Sequence, residues 1–104
     1  MKNLNPTEFK EAISSPDVFI LDVRDADSFN ESHIRGAHNL DVESPDFKEQ
    51  AEETLPKDKQ IAVYCRTGKH SALASQILTD LGYNVLNLEE GLTSWIASGF
   101  PVVK

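Results

Sequence analysis

Cysteine is nearly absent: the 104 residues contain only Cys65, so no disulfide can form within the chain, and this lone thiol needs another explanation. Positive charge is also scarce. Ten Lys and Arg stand against 17 Asp and Glu, a formal charge of −7, which disfavours binding to nucleic acid or to anionic membranes. Neither Val18-Phe19-Ile20-Leu21 nor Ile61-Ala62-Val63 approaches the ~20 apolar residues that cross a bilayer. No apolar stretch of ~7–15 residues follows Lys2, so no secretory signal is expected, and a reducing cytoplasm is the expected location. There is no internal repeat, low-complexity segment or linker, and the length suits one domain, expected to span residues 1–104. What is present is a globular balance, 39% hydrophobic and 26% charged, too apolar for a disordered chain.

The apolar residues fall into alternating strand and helix patterns. Asn5-Pro6-Thr7-Glu8 reads as a helix start with a capping box and proline at the first helical position. Phe9, Ala12 and Ile13 share one face of that helix, which Ser14-Ser15-Pro16 should end. Val18–Val23 and Ile61–Cys65 are continuously apolar over most of their length, as strands buried on both faces of a parallel sheet are. Val85–Leu88 is a third strand candidate and Ala37–Leu40 a weaker fourth. Helices are expected around Phe47 and Ala51, through Leu73, Ala74, Ile77, Leu78 and Leu81 up to Gly82, and around Leu92, Trp95 and Ile96. Such alternation implies an α/β fold: a mainly parallel central sheet with helices on both faces.

Ligands of open α/β sheets bind outside the carboxyl ends of the strands, which is where Cys65 should stand. Arg66-Thr67-Gly68-Lys69-His70-Ser71 follows it, a turn with a permissive glycine and up to three cations, leading into a helix expected to begin near Ser71. Inward backbone N–H groups and the positive helix end would make an anion cradle there, and a thiolate at its rim is favoured over the thiol. The plainer reading keeps Cys65 as a small core residue and Lys69 and His70 as solvated turn residues; their clustering in an acidic chain is what speaks for the cradle. Asp22 and Arg24 should reach the same edge, plainly read as a network fixing loops. His33, His38, His70 and Cys65 are possible zinc ligands, but their spacing matches no compact metal pattern, so no metal or other cofactor is expected.

At these residues the sequence resembles the single-domain rhodanese-like sulfurtransferases, over nearly its whole length. Leu21-Asp22-Val23-Arg24 with Ser32-His33-Ile34-Arg35-Gly36-Ala37-His38-Asn39 resembles the family's first signature. Val63-Tyr64-Cys65-Arg66-Thr67-Gly68-Lys69-His70-Ser71-Ala72 resembles its active-site loop. Gly82-Tyr83-Asn84-Val85, Leu88-Glu89-Glu90-Gly91, Trp95, Gly99 and Pro101 resemble its carboxyl-terminal signature. The resemblance implies the rhodanese-like three-layer fold and transfer of a sulfane sulfur. Cys65 would take sulfur from thiosulfate, a polysulfide or another persulfide and hold it as a persulfide until cyanide, a thiol or a sulfur-relay protein removes it. Arg66, Lys69 and His70 would attract the anionic donor, the backbone of Thr67, Gly68, Lys69, His70 and Ser71 would hold the terminal sulfur, and Asp22 and Arg24 would support the loop. Many members carry Arg where this chain has His70, which weakens the case for thiosulfate as the physiological donor.

Three other functions compete. A related phosphatase loop needs Arg after five residues beyond the cysteine, where this chain has Ser71, so the bidentate phosphate clamp is missing. Partner-binding modules without catalysis usually lose the cysteine, which is present here. A redox-sensing thiol protein normally recruits a resolving cysteine, and the chain has no second one.

Overall fold

The computed structural model describes every residue, Met1–Lys104. In chain order the elements are β1 (Lys2–Leu4), α1 (Pro6–Ile13), β2 (Val18–Asp22), α2 (Ala26–Glu31), β3 (His38–Asn39), α3 (Phe47–Thr54), β4 (Gln60–Tyr64), α4 (Lys69–Asp80), β5 (Val85–Leu88) and α5 (Gly91–Ala97). The strands form one sheet in the order β1-β5-β4-β2-β3, and every pairing is parallel.

Alternation along the strands divides the core into two layers. Leu21, Ile61, Val63 and Val85 face α3 and α4, packing with Phe47, Ala51, Ala74 and Leu78. Leu4, Ala62, Tyr64, Leu86 and Leu88 face the other side, packing with Phe9 of α1 and Leu92 and Trp95 of α5. Phe9 is wholly buried and meets Tyr64 and Trp95 edge-on, with ring centroids 6.3 and 6.2 Å away, so it joins the helix layer to the sheet. Helices on both faces of a parallel sheet are the arrangement expected from the sequence.

The first helix starts as its residues dictate. The Asn5 side chain accepts from the Glu8 backbone N–H at 2.8 Å, while the Asn5 N–H donates to the Glu8 carboxylate at 3.0 Å. Two elements carry no periodic signal and were not expected. β1 is three residues long and exists by pairing with β5; α2 buries none of its residues and starts on Asp25, whose carboxylate accepts from the Ser28 N–H at 2.8 Å.

Each of two expected apolar stripes has one residue turned to solvent. In α4, Ala74 and Leu78 are buried and Ile77 and Leu81 pack beside them as expected, but Leu73 is exposed, and Ser71 and Ser75 join the buried side, where small polar residues let the helix lie close to the sheet. Ile96 is likewise exposed, because Leu92 and Trp95 already cover the sheet side of the short α5. Val18, Phe19 and Ile20 are only half-buried, since the outer strand β3 pairs with just Leu21 and Asp22.

Candidate active site

Strands β2 and β4 run side by side with Asp22 opposite Tyr64, so Arg24 and Cys65 leave the sheet at the same carboxyl edge. Behind them lies a buried ion pair. The Asp22 carboxylate accepts from Arg24 Nε at 3.1 Å and Nη2 at 2.7 Å, and also from the Arg24 backbone N–H at 2.9 Å. Nη2 donates further to the Ser32 carbonyl at 2.6 Å. Burial opposes the Arg24 charge, but the hydrogen bonds and field of Asp22 outweigh it and hold the guanidinium more firmly protonated than usual. Tyr64 closes this network: its hydroxyl accepts the Ile34 N–H at 3.0 Å, and burial with the nearby Asp22 carboxylate pushes its phenol pKa up.

The Cys65 loop is built from backbone. Cys65 is 2% exposed, and its Sγ accepts from the N–H groups of Gly68 and Ser71, each at 3.1 Å. Ser71 lies in the first turn of α4, so the positive end of that helix faces the sulfur. Ser71 Oγ donates back to the Gly68 carbonyl at 3.3 Å. The first turn of α5 fixes the loop from behind: Leu92 N–H donates to the Cys65 carbonyl at 2.8 Å, and Thr93 N–H to that of Arg66 at 3.0 Å. Gly68 has φ +99°, and a Cβ there would overlap the Glu89 carbonyl oxygen; one on Gly91 would overlap the backbone of Arg66. Two glycines therefore let the loop and the β5–α5 turn touch backbone to backbone.

Cys65 forms the floor of a cavity of about 220 Å³. Of the residues singled out from sequence, Arg24, Arg66, Thr67, Lys69 and His70 line it with Cys65. Gly68 and Ser71 reach the sulfur only through their N–H groups, and Asp22 stands behind Arg24. Arg66 Nη2 donates to Ser28 Oγ at 3.1 Å, and neither Arg66 nor Lys69 pairs with a carboxylate. Sequence reasoning missed three lining residues, Asp25, Ser28 and Glu43. Asp25 had a signal, because an Asp before Ala26-Asp27-Ser28 is a helix cap; its pKa is lowered chiefly by the Ser28 N–H. Glu43 had none, being one acidic residue among many. Its carboxylate lies 3.9 Å from His70 Nδ1.

The three histidines are apart. His33 stacks on Phe29 and bonds the Phe29 carbonyl through Nδ1 at 2.9 Å, His38 stacks on Phe19, and His70 sits at the cavity rim. No helix is long and apolar enough to cross a membrane.

The sequence model of the Rhodanese-like domain family matches residues 5–98. Thiosulfate sulfurtransferase GlpE of Shewanella oneidensis is 34% identical over 96 residues, covering 90% of this chain and 91% of its own. The protein of the same name from Coxiella burnetii is 34% identical over 98 residues, covering 92% and 88%. Among solved structures, a rhodanese-related protein from Thermoplasma volcanium superposes with a TM-score of 0.88 at 32% identity, covering 99% of this chain and 98% of that one.

Proposed function

The chain belongs to the Rhodanese-like domain family and is a rhodanese-type sulfurtransferase, and from that premise we propose that residues 1–104 act as one domain whose Cys65 carries sulfur as a persulfide. The Cys65 thiolate attacks the outer sulfur of thiosulfate or a related sulfane donor. As the new S–S bond forms, the donor's own S–S bond breaks, and sulfite departs with the electron pair when the donor is thiosulfate. Cyanide or a thiolate, free or on a sulfur-relay protein, then attacks the outer sulfur of the persulfide. The bond to Sγ breaks and the Cys65 thiolate is regenerated.

The observation that carries this reading is the pair of N–H donors from Gly68 and Ser71 on Sγ, at the floor of a cavity lined by cations. Sulfur must serve there as nucleophile in one step and leaving group in the next, and fixed donors stabilise its negative charge in both without reorganising. Arg66 and Lys69, with no carboxylate partner, supply the attraction for an anionic donor, and Thr67 and His70 complete the rim. Arg24 also lines the cavity, with its charge already paired to Asp22. The chemistry requires no cofactor, and a single unpaired thiol suits a reducing, cytoplasmic setting.

Intact mass after incubation with thiosulfate, then after adding cyanide, tests the reading directly. Gain of one sulfur atom on Cys65, lost as thiocyanate appears, is the expected result. Absence of an adduct with both thiosulfate and polysulfide would overturn it and leave a partner-binding domain.

A further inference from the structure

A cavity that received only thiosulfate would need only positive charge, yet two of the residues lining this one are carboxylates, Asp25 and Glu43. They are not equivalent. Asp25 caps its own helix through the Ser28 N–H, whereas the Glu43 side chain is 72% exposed and its carboxylate has one charged neighbour, His70, at the long distance of 3.9 Å. On the cationic side Arg24 is neutralised inside the protein by Asp22, while Arg66 and Lys69 are not neutralised by any carboxylate. The mouth above Cys65 thus offers free positive charge on the Cys65 loop and a free negative charge on the segment before α3. A dianion is repelled by the second; a molecule carrying an ammonium group and a carboxylate satisfies both.

We propose that Glu43 selects the sulfur acceptor by receiving the ammonium group of a low-molecular-weight amino-acid thiol, whose carboxylate lies toward Arg66 and Lys69. The inference rests on the persulfide reading of Cys65 and names the acceptor class for that site. In the step concerned, the acceptor thiolate attacks the outer sulfur of the Cys65 persulfide. One S–S bond forms on the acceptor, the bond to Sγ breaks with its electron pair returning to Sγ, and neither an oxidant nor a reductant is consumed.

The test loads Cys65 with sulfur, verifies loading by intact mass, and measures single-turnover discharge to cysteine and to 3-mercaptopropionate, which keeps thiol and carboxylate but lacks the ammonium group. The two thiols differ in basicity, so the readout is how far their rate ratio changes from the wild type to Glu43→Gln, in which that difference cancels. Because Glu43 is exposed, the ratio should fall about two- to fivefold, the range of a solvent-screened charge pair. Glu43→Lys should lower it further. Normal loading with an unchanged or increased ratio overturns this inference alone, whereas no loading from any donor overturns the persulfide reading and the inference with it.

Discussion

Strands β2 and β4 are hydrogen-bonded neighbours ending at one edge of the sheet, yet the loops that follow them handle charge in opposite ways. At the end of β2, Asp22 and Arg24 are buried and neutralise each other, with the remaining Nη2 bond going to the Ser32 carbonyl. After β4, the sulfur is held by two backbone N–H groups, and Arg66 and Lys69 face the cavity without acidic partners. The first loop spends its polar groups on itself; the second leaves them to be met by something else. At one edge of the sheet a folding device and the proposed reaction site are made from similar residues, and what separates them is whether charge is satisfied inside the protein.

That comparison predicts opposite phenotypes for the two loops. Cys65→Ser should abolish thiocyanate formation while moving the urea midpoint by the equivalent of no more than about 1 kcal/mol, because a serine oxygen can accept the same two N–H bonds. Retained transfer would place the nucleophile elsewhere. Asp22→Ala should do the reverse in kind, costing about 3–5 kcal/mol of unfolding free energy by leaving the Arg24 charge buried and unpaired. A loss under about 1 kcal/mol in urea melts would mean that the ion pair is not what anchors the β2 loop.

Gly68→Ala sharpens the contrast, since it disturbs the β4 loop without touching any charge. The added Cβ would overlap the Glu89 carbonyl oxygen, at a residue whose φ is +99°. The loop must therefore shift, and its N–H with it. A displacement of about 1 Å at a reacting group costs on the order of a hundredfold in rate, so turnover should fall by that order while the strands stay paired. Unchanged steady-state turnover would show that the Gly68 N–H is not needed at Sγ.

Much of this was legible from residues, and the gaps have physical causes. Continuous apolar runs marked β2 and β4, because strands covered on both faces leave little room for polar residues; Val85–Leu88, interrupted by Asn87, was a third candidate, and the Asn5–Glu8 capping box marked the start of α1. β1 could not be read, because what makes Lys2–Leu4 a strand is its partner β5, more than eighty residues away in sequence. The buried serines of α4 hid the true face of that helix and made Leu73 look like core. At the site, the cysteine, its cations and the glycine declared themselves by proximity in sequence. Glu43 and Ser28 did not, since only the fold brings the segment before α3 and the start of α2 to the rim above Cys65.

The smallest effect expected lies where the two loops meet. Tyr64, the last residue of β4, accepts the Ile34 N–H and feels the Asp22 carboxylate of the β2 loop. Burial, aided by Asp22, raises its folded pKa above the ordinary value near 10, so the folded protein keeps the phenol proton where the unfolded chain loses it. The unfolded state then binds fewer protons, and stability must fall as pH rises above about 10, being fully present below it. Tyr64→Phe removes this titration and also leaves the Ile34 N–H without its acceptor, a loss of about 1–3 kcal/mol at neutral pH. Urea melts between pH 8 and about pH 11 should therefore show the variant less stable throughout but with a shallower alkaline decline than the wild type. Parallel declines would mean that the phenol is not held protonated by its burial, and that Tyr64 joins the two loops through its hydrogen bond and packing without a titration of its own.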